Sequence, residues 1–217
     1  MCVVIIAGGP NKDLSPILPK IRSAEKVICA DSGADALLSY DIVPDVVWGD
    51  MDSISETTMK WLKQHQVENR IFPVEKDMTD SELCLRSMNK GEEILFVTSL
   101  SGRPDHVMSN LLLSMRLTME GYLITVTDGV TWVYPLFQEQ RFIIPDMHVR
   151  ENITCSLIPL GEGAKGVSTI GMKYPLENRD LVWGSSLTVS NEYDMTKKEH
   201  GFVMKDGAML LMITPKV

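Results

Sequence analysis

The sequence has few aromatic residues and no long apolar segment. Aromatic side chains make up 6% of its 217 residues, and no segment approaches the ~18 consecutive apolar residues that a membrane-spanning helix needs. The apolar residues 1–7 have no basic residues before them and are too few for a secretory signal. We therefore expect a cytoplasmic protein that does not enter a membrane.

Positive charge and cysteine are also scarce. The 21 basic residues are outnumbered by 29 acidic ones, which gives a net charge of −8, and no long basic run occurs. A nucleic-acid partner is therefore not expected. The 4 cysteines, at positions 2, 29, 84 and 155, have no C-x-x-C spacing. Cysteines that lie so far apart are expected to be small core residues of a protein in a reduced compartment, and they argue against a disulfide framework or a zinc site.

Short apolar runs alternate with segments of helical period over residues 1–127. This alternation is typical of parallel strands that crossover helices cover on both faces. It predicts an α/β domain with a three-layer, parallel-sheet architecture at residues 1–134. The predicted strands are residues 3–7, 26–30, 45–48, 69–73, 93–100 and 122–127.

Two helices of this domain have predicted starts. Thr79 and Glu82 have the spacing of a capping box, which predicts a helix that begins there and ends near Gly91. Asp105 is predicted to cap the next helix, which runs toward Gly121.

Helical periodicity ends near residue 134, and short strand-like segments separated by turn residues follow. They predict a small all-β domain, a sandwich or a roll, at residues 135–217. The predicted strands are residues 142–144, 153–160, 167–170, 186–189, 201–204 and 209–213. Gly161, Gly163 and Gly166 form a G-x-G-x-x-G pattern, but no helix follows it, so it predicts a hairpin turn and not a nucleotide-binding loop.

Glycines and polar side chains follow five of the strands predicted in the first domain. Ligands bind at the carboxyl ends of the strands in an open parallel sheet, so these residues are the candidates for a site. Each of them singly is more often a turn or cap residue, and the prediction depends on their coincidence. The segments are residues 8–9, 31–35, 49–53, 76–80 and 101–106.

The carboxylates in these segments predict a magnesium and phosphate site. Asp50 and Asp52 would point the same way if their strand continues, and converging carboxylates without lysines repel one another. A divalent cation relieves that repulsion, and oxygen ligands without histidine favour Mg²⁺ together with substrate phosphates. Arg103 is suited to binding phosphate oxygens in a bidentate manner. His106 can contact phosphate or simply hold its loop. These features indicate phosphoryl transfer.

Two common enzyme motifs are missing from the sequence. No G-x-x-x-x-G-K-[ST] sequence occurs, which argues against a P-loop ATPase. No G-x-S-x-G sequence occurs either, so a serine hydrolase has no support.

Several short motifs along the chain are specific in their order and spacing. They are Ala30-Asp31-Ser32-Gly33-Ala34, Pro44-Asp45 with Gly49-Asp50-Met51-Asp52-Ser53, Lys76-Asp77-Met78-Thr79-Asp80 with Glu82, Gly102-Arg103-Pro104-Asp105-His106 with Asn110, Gly171-Met172-Lys173-Tyr174-Pro175-Leu176, and Ser190-Asn191-Glu192. With these motifs the chain resembles the thiamine pyrophosphokinase (thiamine diphosphokinase) family, in its compact bacterial form, over nearly its whole length.

The resemblance implies a transferase of thiamine diphosphate biosynthesis that uses ATP and Mg²⁺ and forms thiamine diphosphate and AMP. It also implies a homodimer whose thiamine site is shared between the α/β domain of one subunit and the β domain of its partner. The implied site residues fall into four groups. They are Asp50, Asp52 and Asp77 for Mg²⁺ and the triphosphate; Arg103 and Asp105 for positioning the triphosphate; Asp31, Ser32, Gly33, Thr79, His106 and again Arg103 for ATP; and Tyr174, Ser190 and Asn191 for thiamine.

Two alternatives stay open at this stage. A pyrophosphokinase acting on a pterin alcohol would keep the carboxylates and change the acceptor site, and the Ser190-Asn191 pair argues against it. A nucleotide- or metal-responsive binding protein without turnover is disfavoured because the expected charged residues are all present: Asp50, Asp52, Asp77, Arg103 and Asp105.

Overall fold

The computed structural model describes residues 2–9, 13–71 and 77–216. The chain folds into two compact units, Met1–Gly129 and Val130–Val217. The boundary expected from the sequence, between residues 134 and 135, lies inside a strand, Trp132–Phe137. That strand pairs with Asp206–Pro215 of the second unit and therefore belongs there as a whole.

The first unit is built on a parallel sheet. Its strands among the described residues are β1 (Cys2–Ala7), β2 (Lys26–Ala30), β3 (Val46–Gly49), β4 (Glu68–Ile71), β5 (Glu93–Val97) and β6 (Leu123–Thr127). They lie in the order β4-β3-β2-β1-β5-β6. Its helices are α1 (Leu18–Arg22), α2 (Asp35–Leu38), α3 (Glu56–Gln64), α4 (Asp80–Arg86) and α5 (Pro104–Met119). Each predicted strand is confirmed in place, except that β5 ends three residues early and residues 72–73 of the fourth lie outside the described residues.

The four inner strands β1, β2, β3 and β5 form the core of this unit. Ile5, Ile6, Ile28 and Phe96 are completely buried. Strands that are covered on both faces need such continuous apolar runs. The edge strand β4 has the sequence ENRI and is exposed throughout, so it does not need an apolar sequence.

The two predicted helix starts have different outcomes. Thr79 is the N-cap of α4 and accepts a hydrogen bond from Glu82 N at 3.2 Å, which confirms the predicted cap. This helix ends at Arg86, before the predicted end near Gly91. The predicted cap at Asp105 is wrong, because α5 begins one residue earlier, at Pro104. Proline favours the first helical position, where its missing N–H costs nothing.

All strand pairs of the second unit are antiparallel. Its strands are β7 (Trp132–Phe137), β8 (Gln140–Ile143), β9 (Ile153–Ile170), β10 (Arg179–Leu181), β11 (Gly201–Met204) and β12 (Asp206–Pro215). They follow the order β7-β12-β9-β11-β8, and β10 pairs with β9. The two segments predicted at 153–160 and 167–170 form one continuous strand, β9. The prediction of a strand at 186–189 is wrong, because the chain turns there.

The predicted hairpin turn at Gly161, Gly163 and Gly166 is also wrong. All three lie inside β9, with positive φ angles of 58°, 89° and 62°. The register between β9 and β12 shifts here, and a Cβ at Gly163 would collide with the carbonyl oxygen of Leu181. The glycines therefore allow an irregularity within a continuous strand, which is the role of a β-bulge.

The prediction that the cysteines are core residues is confirmed for Cys29, Cys84 and Cys155, which are buried, whereas Cys2 is half-buried. None of the four forms a disulfide. Among the residues that the structure describes, no helix is long and apolar enough to cross a membrane.

Candidate active site

A cavity of about 370 Å³ lies at the carboxyl ends of the strands of the first unit. Ala7 and Ala30 are the last residues of β1 and β2, and Thr98 directly follows β5. The cavity is lined by Ala7, Gly8, Gly9, Ala30, Asp31, Ser32, Ser53, Thr79, Asp80, Ser81, Thr98, Ser99, Ser101, Arg103, His106, Val107, Ser109 and Asn110. This is the edge of the sheet at which the sequence predicted a ligand site.

Five of the six residues expected to bind ATP line this cavity: Asp31, Ser32, Thr79, Arg103 and His106. The sixth, Gly33, is completely packed in the interior, and a Cβ there would collide with the carbonyl oxygen of Ile6 in β1. Gly33 therefore allows the backbone after β2 to approach β1, which sets the position of Ser32 beside it.

Asp31 occupies a strained position at the floor of the cavity. Its φ angle is 46°, and its Oδ1 accepts a hydrogen bond from Met51 N at 3.4 Å. Gly49 lies against the same carboxyl group, since a Cβ at Gly49 would collide with Asp31 Oδ1. The missing side chain of Gly49 thus makes room for the Asp31 carboxylate.

Four carboxyl groups interact near this point: Asp31, Asp50, Asp52 and Asp80. Burial, a hydrogen bond to Asp80 and the negative charges of Asp80 and Asp50 raise the pKa of Asp31 to about 7. The hydrogen bond with Asp50, and then the charge of Asp50, raise the pKa of the exposed Asp52 carboxyl. The neighbouring negative charges therefore disfavour ionisation of Asp31 and of Asp52, as converging carboxylates do without a cation.

The structure places Asp80, and not Asp77, against Asp31. Asp77 is exposed, two residues before the cap of α4. Among residues 2–9, 13–71 and 77–216, no group of three or more histidine, cysteine or carboxylate side chains has the arrangement of a complete metal site. The carboxylate oxygens of Asp50 and Asp52 are of the kind that a hard cation binds when it takes its remaining ligands from substrate.

Arg103 and Asp105 form an ion pair at the start of α5. Arg103 Nη2 donates to Asp105 Oδ2 at 2.6 Å, and Arg103 Nε donates to Asp105 Oδ1 at 3.2 Å. This contact lowers the pKa of Asp105 to about 2 and raises that of Arg103. Arg103 and His106 line the cavity, while Asp105 orients the guanidinium of Arg103.

Sequence reasoning assigned no role to several cavity residues. Asp80 stands in the segment that supplied Asp77 and Thr79, and Asn110 follows His106 by one helical turn, so spacing alone could have placed Asn110 on the same helix face. Asn110 Nδ2 donates to Thr98 Oγ1 at 2.9 Å, which joins α5 to the end of β5.

The second unit brings together the three residues expected to bind thiamine. Asn191 Oδ1 accepts hydrogen bonds from Tyr174 N at 3.0 Å and Glu192 N at 2.8 Å, and Asn191 Nδ2 donates to Tyr174 O at 2.7 Å. Ser190, with a φ of 61°, is exposed, and its N donates to Ser156 Oγ at 2.9 Å. The Asn191 amide is therefore used in holding the backbone of Tyr174, whose side chain is 57% exposed.

The chain matches two models of known families. Residues 19–126 match the thiamin pyrophosphokinase catalytic domain, and residues 142–207 match the thiamin pyrophosphokinase vitamin B1 binding domain. The two matches fall within the two structural units.

Known relatives and solved structures agree with these matches. Thiamine pyrophosphokinase of Bacillus subtilis is 30% identical over 191 residues, which are 87% of each chain. A crystal structure of thiamine pyrophosphokinase from Bacillus subtilis is similar with a TM-score of 0.83 and 26% identity, over 100% of both chains. A crystal structure of thiamin pyrophosphokinase from Geobacillus thermodenitrificans has a TM-score of 0.79 and 25% identity, over 100% of this chain and 98% of that one. The chain therefore belongs to the thiamine pyrophosphokinase family of enzymes.

Proposed function

We propose that this protein transfers the pyrophosphoryl group of ATP to the hydroxyl group of thiamine, with Mg²⁺, and forms thiamine diphosphate and AMP. The observation that carries the proposal is the joint presence of a catalytic-domain match at residues 19–126 and a vitamin B1 binding match at residues 142–207. The cavity at the end of the parallel sheet provides the space for ATP, and the carboxylates there provide oxygen ligands for a cation.

ATP binds in the cavity of the first unit in this proposal. Asp31, Ser32 and Thr79 line it from the end of β2 and the start of α4, and Arg103 and His106 line it from α5. Gly33 contributes by packing beneath Ser32. Asp105 positions Arg103, whose guanidinium then binds phosphate oxygens.

The divalent cation is held by Asp50, Asp52 and Asp77, with Asp31 and Asp80 as neighbours that add negative charge. The raised pKa of Asp31 and of Asp52 supports the roles of Asp50 and Asp52, because both shifts come in part from the negative charge of neighbouring carboxylates. Asp77 is included because the family resemblance implies it. Bound Mg²⁺ would supply charge neutralisation at the phosphate oxygens.

The transfer is a substitution at the β-phosphorus of ATP. The thiamine hydroxyl oxygen forms the new bond to this phosphorus and loses its proton, the bond to the α–β bridging oxygen breaks, and AMP leaves with that oxygen. Negative charge grows on the bridging oxygen and the phosphate oxygens, where Arg103 stabilises it most effectively.

Thiamine is bound by Tyr174, Ser190 and Asn191 of the second unit in this proposal. Thiamine carries a positive thiazolium, which favours the face of an aromatic ring. Asn191 acts by holding Tyr174 in place, and Ser190 offers an exposed hydroxyl group beside it.

We further propose a homodimer in which each thiamine site uses the first unit of one subunit and the second unit of its partner. The second unit exposes large apolar side chains, which suits an interface between subunits. They include Val182 (68% exposed), Trp183 (73%), Leu187 (56%) and Val189 (49%). The proposal also includes a three-layer first unit, a sandwich or roll for the second unit and a cytoplasmic location. Cysteines that form no disulfide are typical of a reducing compartment.

Phosphorus NMR of the purified protein with ATP, Mg²⁺ and thiamine tests the reaction. We expect AMP to accumulate together with thiamine diphosphate. ADP with thiamine monophosphate would contradict pyrophosphoryl transfer, and the absence of turnover would favour another alcohol acceptor, such as a pterin alcohol, or a binding protein.

Complementation tests the shared site. Asp52→Asn and Tyr174→Ala change different units, so mixed dimers of the two variants would contain one unaltered site and one doubly altered site. After unfolding and refolding together, we expect activity to return to about a quarter of the wild-type value, as random pairing of two subunits gives. A mixture as inactive as its components would place each site within one subunit.

A further inference from the structure

The loop that carries Asp50 and Asp52, residues 50–55, is tied to residues 31–35 at three points. We call residues 50–55 the acidic loop. The first two ties are the hydrogen bonds from Met51 N to Asp31 Oδ1 at 3.4 Å and from Ser32 N to Ser53 Oγ at 3.3 Å. Both involve residues that line the cavity.

The third tie joins Asp35 to Ser55, which is the last residue of the acidic loop. Ser55 N donates to Asp35 Oδ1 at 3.2 Å and to Asp35 Oδ2 at 3.4 Å, and Ser55 Oγ donates to Asp35 Oδ1 at 2.8 Å. Ser55 is also the N-cap of α3, where it accepts a hydrogen bond from Thr58 N at 3.3 Å. Asp35 is the first residue of α2 and is not among the described residues that line the cavity.

The acidic loop needs a tie because its own charges act to open it. Negative charge on Asp50 and on Asp80 disfavours the ionised forms of both Asp31 and Asp52. Without an anchor at residue 55, the loop could relieve this repulsion by moving away, and cation binding would then have to restore its conformation. A loop that is held in place before binding avoids that cost.

We propose that Asp35 is a positioning residue that acts through Ser55 to hold the acidic loop in its cation-binding conformation. The inference rests on the proposed function, since it takes Asp50 and Asp52 as the ligands of a divalent cation. Asp35 itself touches neither nucleotide nor cation. Its three hydrogen bonds to one residue make it the strongest of the three ties.

Cation binding in the absence of nucleotide provides a direct test. The affinity for Mn²⁺, used as a paramagnetic probe, is measured by electron paramagnetic resonance on the full chain. We expect Asp35→Ala to weaken Mn²⁺ binding about tenfold, at the lower end of the usual effect of losing an outer-shell partner. Asp35→Asn keeps an acceptor oxygen for Ser55, so it should restore binding to within about threefold of wild type.

Asp45→Ala is the matched control. Asp45 also accepts a hydrogen bond from a backbone N–H, Val27 N at 2.7 Å, but it precedes β3 at the opposite end from the acidic loop. We expect this variant to lower the melting temperature and to leave the Mn²⁺ affinity unchanged. Wild-type affinity in Asp35→Ala, or equal weakening in Asp45→Ala, would overturn the proposal, as would a wild-type protein that binds no Mn²⁺.

A second variant serves if Asp35→Ala does not fold. Ser55→Gly removes the hydroxyl that bonds Asp35, at an N-cap position that tolerates glycine. It should weaken Mn²⁺ binding several-fold, and unchanged binding would overturn the proposal. In turnover assays, Asp35→Ala should raise the KM for the cation–ATP complex more than it lowers kcat. A wild-type protein that binds Mn²⁺ and makes no thiamine diphosphate would contradict the proposed reaction and leave the role of Asp35 intact.

Discussion

Asp31 and Asp80 share a side-chain hydrogen bond at the floor of the cavity, although one follows β2 and the other begins α4. Two carboxyl groups form such a bond only when one of them carries a proton. Burial together with this neighbour accordingly raises the pKa of Asp31 to about 7. The end of the sheet thus gathers carboxyl groups that resist full ionisation, at the place where a cation and a nucleotide are expected.

Replacement of Asp52 by asparagine should abolish turnover and leave folding nearly intact. Asp52 is exposed and its neighbour Asp50 disfavours its ionisation, so removal of its charge relieves repulsion in the protein without cation. We expect a loss of activity on the order of 100-fold or more, as for other groups that stabilise transition-state charge. Turnover assays and melting curves in EDTA measure the two effects.

The matched control for this variant is Asp146→Asn. Asp146 is exposed in the second unit, at the start of the short 3₁₀ helix Asp146–His148. It should keep full activity. Wild-type activity in Asp52→Asn, or a large drop in its melting temperature in EDTA, would contradict the role of Asp52.

Replacement of Arg103 by lysine should reduce kcat/KM strongly although the charge is kept. Lysine cannot reproduce the planar pair of donors that Arg103 presents to Asp105 and to phosphate. We expect a loss of about 100-fold with little change in melting temperature, because the Arg103 side chain is 72% exposed.

Arg70→Lys provides the comparison for Arg103→Lys. Arg70 is also an exposed arginine of the first unit, and its Nε lies 2.7 Å from Glu68 Oε1. This variant should have wild-type kinetics. Equal effects of the two substitutions would show that Arg103 has no special contact with phosphate.

Truncation of Asn191 to alanine should raise the KM for thiamine far more than the KM for ATP. The Asn191 amide makes three hydrogen bonds, two of them to the backbone of Tyr174, so its loss frees Tyr174 and leaves partly buried backbone groups without these bonds. The melting temperature should also fall, by roughly 2–8 °C.

Asp180→Ala separates these two effects of the Asn191 change. Asp180 Oδ1 accepts a hydrogen bond from Gly166 N at 2.9 Å elsewhere in the second unit. This variant should lower the melting temperature without changing either KM. Equal changes in the thiamine and ATP KM values of Asn191→Ala would mean that the acceptor site lies elsewhere.

Thiol reactivity should reveal the buried cysteines. Burial raises the pKa of Cys155 to about 12 from its ordinary value near 9, so the folded protein holds almost no thiolate there at pH 8. We expect Ellman's reagent to react in the native state with half-buried Cys2 at most, and with all four cysteines in guanidinium. Rapid native labelling of more than one thiol would contradict the packing of β2, α4 and β9.

The raised pKa of Cys155 also predicts how the free energy of unfolding changes with pH. Below pH 9 the Cys155 thiol is protonated in both the folded and the unfolded state. Between about pH 9 and 12 only the unfolded state releases the proton, so the free energy of unfolding falls as the pH rises. Cys155→Ser should weaken this alkaline decline, which urea titrations at pH 8 and pH 10.5 would measure.

Local sequence features determined much of this protein. The continuous apolar runs of β1, β2 and β5 specify buried parallel strands, and the Thr79 cap specifies the start of α4, because both depend on residues that are neighbours in the chain. The order of the acidic and glycine segments was enough to indicate the family, which the domain matches confirm.

Only the tertiary structure decided which of these residues meet. The sequence could not distinguish Asp77 from Asp80 as the neighbour of Asp31, nor show that the Asn191 amide holds Tyr174 or that Asp35 anchors Ser55. It also could not show that the glycines near residue 163 lie within one strand. Residue type and periodicity govern local conformation, whereas contacts between distant segments depend on how strands and helices pack, and that packing brings the groups of this site together.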